Sequence, residues 1–154
     1  MSNVTITHLE RRKIEAGVLI PMIQAFQRAL GKEQANEIAR EVIRELARKD
    51  GERWGAQYGR DLAALSEVEK VWAAGGALEI EPLEKSAEAL DFNVTRCAYA
   101  EFYQSLGLPE LGSLFHCSRD FAMAEGFSPD IRLDRTQTIM QGAGHCDFRF
   151  RAKR

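Results

Sequence analysis

The sequence is short of several features that would assign it to a specialised class of protein. It has three cysteines, Cys97, Cys117 and Cys146, and an odd number in 154 residues does not make a disulfide framework. No apolar run approaches the roughly 18 residues needed to span a bilayer. The first residues, 1–5, lack the basic and apolar segments of a secretion signal. These absences predict a cytoplasmic protein with no membrane partner.

An excess of either charge is also missing. The 21 lysines and arginines against 23 aspartates and glutamates give a formal net charge of -2, so we expect no nucleic acid partner. The basic residues near the C-terminus are expected to face solvent; they are Arg149, Arg151, Lys153 and Arg154. Apolar residues make up 45% and charged residues 29% of the chain, which is typical of a globular protein. We therefore expect residues 1–154 to form a single domain.

Apolar residues in the first half recur at steps of three and four, which predicts three helices. The expected ranges are 8–30, 33–58 and 61–74. Pro21 is expected to bend the first helix or mark its restart, because proline lacks an amide hydrogen. Gly51 divides the second helix in one alternative. Ser66 and Glu69 have the spacing of a capping box within the third.

The second half changes to apolar and polar residues in alternation, which predicts strands. Two strands are expected around 78–80 and 90–94, two helices over 97–106 and 108–126, and a final hairpin over 130–140 and 146–151. Gly142 and Gly144 supply its turn. The predicted fold is α+β, in the order ααα-ββ-αα-ββ. N-terminal helices (1–76) pack with a small antiparallel sheet of about four strands (within 77–154), and the second part is expected to hold the site.

Cys146 is a candidate nucleophile because it follows a glycine-rich turn and lies between His145 and Asp147. Sulfur attacks as the thiolate, and a neighbouring cation lowers the pKa of a thiol. We therefore expect either Cys146 or Cys117, with Cys146 slightly favoured, to titrate well below the free-cysteine pKa of about 8.5. In the alternative, Cys146 is a small core residue that shares a strand face with two phenylalanines.

A second group of candidates lies on one predicted helix. His116 and Asp120 are four positions apart and share a face, so the carboxylate can orient the imidazole for acid-base work. Cys117 lies beside them. The alternative is an exposed His–Asp pair next to a buried cysteine. Since this helix must pack on the sheet, we expect Cys117, Asp120 and Cys146 to lie close together.

Arg135, Thr136 and Thr138 are candidates for binding a substrate carboxylate, since a guanidinium and two hydroxyls suit that group. Strand alternation puts Arg135 on the opposite face from the two threonines. His145 and Cys97 are further candidates for contact with the substrate, although a buried Cys97 is the competing interpretation.

A zinc site is the main chemical competitor, with ligands from His116, Cys117, Asp120, His145 and Cys146. The chain has no Cys-x-x-Cys pair, and neighbouring His and Cys residues on a helix or strand point apart. We therefore expect no metal and no other cofactor.

The stretch from Arg96 to Phe150 resembles the L-2-amino-thiazoline-4-carboxylic acid hydrolase family. The matching motifs are Arg96-Cys97, Gly107-Leu108-Pro109-Glu110-Leu111, His116-Cys117-Ser118-Arg119-Asp120, Leu133-Asp134-Arg135-Thr136-Gln137-Thr138 and Gly142 to Phe150. The resemblance implies a small cytoplasmic hydrolase that opens a cyclic amidine carrying a carboxylate. Its type substrate is a five-membered thiazoline, which becomes an N-carbamoyl cysteine.

Two functional hypotheses follow. The first is a metal-independent hydrolase for a small cyclic amidine or amide, with Cys146 or Cys117 as nucleophile, Asp120 or Asp147 as acid-base group and His116 as helper. The second is a non-enzymatic module that binds a small molecule or a partner and uses its cysteines only for packing. Both are compatible with a homo-oligomer.

Overall fold

The computed structural model describes residues 5–153. Its elements are, in chain order, α1 (His8–Leu30), α2 (Lys32–Tyr58), α3 (Leu62–Ala73), β1 (Leu78–Lys85), β2 (Ala89–Cys97), α4 (Ala98–Ser105), α5 (Pro109–Gly112), a π-helical turn (Ser113–Cys117), α6 (Arg119–Phe127), β3 (Ile131–Asp134) and β4 (Cys146–Ala152). This order confirms the predicted α+β fold, with the expected helix over 108–126 interrupted by the π-helical turn. Residues 1–4 and Arg154, used in the expectations about secretion and the basic C-terminus, lie outside the described residues.

The first helix has the bounds that its apolar spacing predicts. Thr7 and Glu10 form a capping box at its start, and Gly31 ends it with a φ of 88°. The helix continues through Pro21 without a restart. No helix among residues 5–153 combines the length and apolar character needed to cross a membrane.

The second helix is also continuous, so the alternative in which Gly51 divides it is wrong. Gly51 instead lies where α2 packs against α6. A Cβ at Gly51 would come within 2.0 Å of the carbonyl oxygen of Met123, and one at Gly126 within 2.0 Å of the carbonyl oxygen of Arg48. The two backbones approach this closely because neither residue has a side chain at the crossing.

The third helix is capped differently from the prediction. Asp61 is the N-cap, and its carboxylate accepts a hydrogen bond from the amide of Ala64 at 2.8 Å. Ser66 lies inside the helix, where its hydroxyl donates to the carbonyl of Ala63 at 2.9 Å. The predicted capping box of Ser66 and Glu69 is therefore wrong.

The four strands form one antiparallel sheet in the order β1-β2-β4-β3. On β4 the side chains of Cys146, Phe148 and Phe150 are buried, as the alternation predicts. Phe148 stacks on Phe92 of β2, with ring centroids 5.0 Å apart. Cys146 lies opposite Val94 in the β2–β4 register, so the first residue of β4 faces the helices that cover the sheet.

The predicted final hairpin is only partly correct, because β3 ends at Asp134 and residues 135–138 leave the sheet. The backbone amides of Thr136 and Gln137 donate to the carboxylate of Asp147, both at 2.9 Å, in place of strand pairing. The chain then forms a 3₁₀ turn over Ile139–Gln141. The strand alternation assumed for Arg135, Thr136 and Thr138 therefore does not apply.

Candidate functional site

A cavity lies between the N-terminal helices, the π-helical turn and the sheet. Its volume, as the space open to the centres of water-sized molecules, is roughly 70 Å³, and it is partly open to solvent. Seven of the residues predicted from the sequence line it: Cys97, His116, Cys117, Asp120, Arg135, Thr138 and Cys146. Cys117, Asp120 and Cys146, which we expected to lie close together, all line this one cavity.

Asp120 and Arg135 form an ion pair within this cavity. Nη1 of Arg135 donates to Oδ2 of Asp120 and to the carbonyl oxygen of Cys117, the latter at 3.1 Å. The guanidinium also lies over the rings of Phe121 and Phe148, 5.0 and 5.5 Å from their centroids. The segment after β3 is thereby fixed to the start of α6.

The carboxyl of Asp120 has a perturbed pKa. Burial raises its pKa above the usual aspartate value, and the charge and hydrogen bond of Arg135 oppose that rise without cancelling it. A carboxyl group whose pKa moves toward neutrality is a better general base and remains able to return the proton. Among the aspartates named from the sequence, Asp120 therefore has the electrostatics of an acid-base group.

The three thiols do not have the electrostatics expected of a nucleophile. Burial raises the pKa of Cys97 to about 11, and burial also raises the pKa of Cys117 and of Cys146. This direction is opposite to the expectation that either Cys146 or Cys117 titrates well below the free-cysteine pKa. The reason is that desolvation of the thiolate outweighs the attraction of Arg135 for both thiols.

Two of the sulfur atoms accept backbone hydrogen bonds. Sγ of Cys146 accepts from the amide of Ile139 at 3.2 Å, and Sγ of Cys97 accepts from the amide of Ala100 at 3.4 Å. Cys97 is the N-cap of α4, so its sulfur has a structural use. The contact to Cys146 comes from the 3₁₀ turn and would stabilise charge that develops on this sulfur.

His116 lies against Tyr99, with ring centroids 4.2 Å apart and the planes 11° from parallel. Burial, reinforced by the charge of Arg12, lowers the pKa of His116 well below the usual histidine value, so the imidazole is neutral. Its Nδ1 is buried without a hydrogen-bond partner among residues 5–153. Within the same residues no hydrogen bond joins it to Asp120, so the structure does not form the predicted orienting pair.

Three of the predicted site residues do not line the cavity. Asp147 accepts hydrogen bonds from the hydroxyl and amide of Thr136 and from the amide of Gln137. Burial acts to raise the pKa of Asp147, but these hydrogen bonds outweigh it and lower that pKa. The carbonyl oxygen of His145 accepts from the side chain of Gln137 at 2.9 Å. Asp147, Thr136 and His145 thus hold the connection between β3 and β4.

The N-terminal helices contribute cavity residues that the sequence analysis missed. Arg12 donates to the carboxylate of Asp50 at 3.3 Å, and Arg119 approaches the same carboxylate at 3.5 Å. His8 lies next to them in the cavity lining. Burial, together with the charge of Arg12, lowers the pKa of His8 to about 3. The cavity therefore extends beyond residues 77–154, the part in which we expected the site.

One sequence signal would have found two of these residues. His8 and Arg12 precede the fully buried Ala16 at four-residue steps, so they occupy the core-facing side of α1. Polar residues in that position are unusual and indicate a polar cavity or a buried ion pair.

The cavity therefore combines a carboxyl group of raised pKa, neutral imidazoles and thiols. Within residues 5–153, no group of three or more His, Cys, Asp or Glu side chains is arranged to hold a metal ion. The chemistry that these side chains can supply is proton transfer to and from a small bound molecule, next to sulfur atoms that contact the same space.

Comparison with known protein families assigns the chain to one of them. The sequence model of the L-2-amino-thiazoline-4-carboxylic acid hydrolase family matches residues 11–150. The chain belongs to this family. The match includes Arg12 and Asp50 on the helices as well as Asp120 and Cys146, so it extends well beyond the stretch from Arg96 that carried the resemblance.

Two further comparisons accompany the assignment to the L-2-amino-thiazoline-4-carboxylic acid hydrolase family. A search of curated proteins gives no match. A solved structure similar to this family member is the phenol-responsive sensory domain of the transcription activator PoxR with phenol. It shares 14% sequence identity and a TM-score of 0.49, and the alignment covers 87% of this chain and 72% of that chain.

Proposed function

We propose that this protein is a hydrolase that opens the ring of a small cyclic amidine or amide carrying a carboxylate. The observation that carries the proposal is the position of Asp120, a carboxyl group of raised pKa that lines a cavity beside Arg135. Membership of a family described by thiazoline carboxylate hydrolysis supports the class of substrate.

Arg135 is the proposed site for the substrate carboxylate. Its hydrogen bonds to residues 5–153 involve only Nη1, so Nε and Nη2 have capacity for an anion. Thr138 lines the same cavity, but its hydroxyl bonds to Gln141, accepting from the amide and donating to the side-chain oxygen, both at 3.2 Å. We assign Thr138 to shaping the wall and Arg135 to binding.

In the proposed reaction Asp120 activates water. Its carboxylate takes one proton as the water oxygen bonds to the electrophilic amidine carbon, and the resulting carboxylic acid gives a proton to the atom that leaves the ring. For a thiazoline that becomes N-carbamoyl cysteine, the bond broken is the ring C–S bond and the departing sulfur receives that proton. The second hydrogen of the water moves from the new hydroxyl group to the former ring nitrogen, and the carbon becomes the carbonyl of the carbamoyl group. Asp120 ends in its starting state, as a catalyst must.

A covalent route through Cys146 is the competing mechanism, and the 3.2 Å contact from the amide of Ile139 favours it over a route through Cys117. Here Sγ adds to the amidine carbon, its proton passes to Asp120, and the ring bond breaks with that proton on the leaving atom. Water then releases the product. Because no atom leaves during ring opening, the intermediate adds the whole mass of the substrate to the protein.

Incubation with 2-amino-thiazoline-4-carboxylic acid tests the function, with N-carbamoyl cysteine measured by liquid chromatography and mass spectrometry. Acid quenching during turnover tests the route. The water mechanism predicts unmodified protein mass and a Cys146→Ser variant within about tenfold of the wild type. The covalent route predicts a protein heavier by one substrate mass and an inactive Cys146→Ser variant.

Absence of ring opening with this substrate and with cyclic amide analogues would overturn the enzymatic proposal. Titration calorimetry with the same compounds then distinguishes a binding module, which releases or absorbs heat without turnover, from a protein with another ligand.

A further inference from the structure

The two long N-terminal helices expose large apolar side chains at every fourth position. We call these eight residues the helical patch: Ile14, Val18, Met22, Phe26 and Leu30 on α1, and Ile38, Val42 and Leu46 on α2. Each is between 46% and 63% exposed. An apolar stripe that faces solvent on a helix is typical of a surface that another molecule covers.

The two helices that carry the rows of the patch lie side by side. A hydrogen bond of 2.8 Å from Gln27 to Asn36 joins α1 and α2 near Gly31, and the 3.3 Å contact between Arg12 and Asp50 joins their far ends. The helices are therefore antiparallel and in register over their length. At 1.5 Å per residue, the row on α1 alone extends over roughly 24 Å.

The area of the patch matches the requirement of a stable interface. A large apolar residue presents on the order of 150–200 Å² when fully exposed. Eight residues that are about half exposed then offer roughly 600–800 Å², close to the ~800 Å² that each partner buries in a standard protein interface. We propose that the helical patch is a homodimer interface, in which it packs against the same patch of a second copy of this chain.

The charges beside the α2 row of the patch suit a partner identical to itself. Arg40 pairs with Glu37, and Glu45 pairs with Arg48 at 2.9 Å and with Lys49 at 3.5 Å. Charges neutralised within one helix do not repel the same helix of a second copy across a two-fold axis.

The spacing of the patch also predicts how the helices cross. Side chains four apart form ridges inclined to the helix axis, and interdigitation of two such ridges gives a crossing angle of about -50°. The α1 helices of the two copies are expected to meet in this way, with Val18, Met22 and Phe26 near the centre of the α1 row. The cavity residues of α1, His8 and Arg12, lie in the first two turns of the helix, before the centre of the α1 row.

Sedimentation equilibrium tests the dimer with a matched pair of variants. The wild type is expected at twice the chain mass of 17.3 kDa at tens of micromolar. Val18→Glu with Val42→Glu is expected at the monomer mass with unchanged circular dichroism, because both positions are exposed. Leu83→Glu with Leu106→Glu, at exposed apolar sites outside the patch, is expected to remain dimeric.

A wild type that sediments as a monomer would overturn the proposal, as would equal masses for the two double variants. Flotation of monomeric wild type with anionic phosphatidylserine vesicles, lost on Val18→Glu with Val42→Glu, would assign the patch to a lipid surface and also overturn the dimer.

Discussion

Arg135 donates a hydrogen bond to the carboxylate of Asp120, although the two residues belong to a coil segment and a helix and both are largely withdrawn from solvent. Their side chains are 8% and 21% exposed. The pair therefore has two consequences. It holds the cavity wall in place, and it limits how far burial raises the pKa of Asp120.

Removal of the Arg135 guanidinium should lower the free energy of unfolding by an amount that depends on pH. Arg135→Met leaves a buried carboxylate without its partner, and we expect the free energy of unfolding to fall by about 3 kcal/mol at pH 7. The loss should be smaller at pH 5, because Asp120 then binds a proton more easily in the folded state. Urea unfolding at both pH values measures this. Arg132→Met, in the exposed pair with Asp134, should change stability by no more than about 0.5 kcal/mol.

The crossing of α2 and α6 should not tolerate a methyl group. Gly51→Ala places a Cβ against the carbonyl oxygen of Met123, so we expect a loss of about 2–3 kcal/mol in the free energy of unfolding. Gly17→Ala is the matched control, since its Cβ would meet nothing within 4 Å on an exposed face of α1. That variant should gain about 0.5–1 kcal/mol from helix propensity. Equal effects would show that the crossing does not depend on glycine.

These glycines also show what local sequence patterns predict and what they do not. The spacing of the apolar residues and the position of Gly31 predicted the bounds of α1, because both signals are local to this helix. The role of Gly51 depends on Met123, more than seventy positions away, and no local rule contains that contact. The end of β3 at Asp134 depends likewise on hydrogen bonds to Asp147 from the chain that follows.

The candidate site was predictable where its residues cluster in sequence. Cys117, Asp120, Arg135 and Cys146 stand out by residue type, and the α+β order brings their segments together. His8, Arg12 and Asp50 come from helices that match generic amphipathic patterns. Desolvation by burial raises the pKa of the thiols. It depends on the residues packed around each sulfur and not on sequence neighbours such as His145, so the local sequence did not predict it.

Acid should weaken the folded state through His8. The unfolded chain binds a proton on this residue near pH 6.5, whereas the folded pKa is about 3. Its contribution to stability is therefore complete above pH 6.5 and is lost as the pH falls toward 3, at up to about 1.4 kcal/mol per pH unit. His8→Phe keeps an aromatic ring beside Trp54 and Tyr99 and should reduce this slope. A slope unchanged between wild type and variant would contradict the buried neutral imidazole.

The thiols should react slowly in the free protein. Because burial raises the pKa of Cys97, Cys117 and Cys146, alkylation by iodoacetamide at pH 7 should be slower at each than at a free cysteine, whose pKa is about 8.5. Cys117 should be the slowest. Mass spectrometry of the separated peptides, over a pH series, measures each rate. A cysteine that reaches its maximal rate below pH 7 would restore the thiolate expected from the sequence.

The most direct measurement compares ring opening by two aspartate variants. If Asp120 is the acid-base group, Asp120→Asn should lower kcat for 2-amino-thiazoline-4-carboxylic acid by about 10²–10⁴-fold. Asp134→Asn is the control, because Asp134 lies outside the cavity in an exposed ion pair with Arg132 of the same strand. This variant should retain wild-type kcat. Circular dichroism confirms that both variants fold. An Asp120→Asn enzyme that keeps wild-type kcat across pH 5–9 would contradict the proposed site.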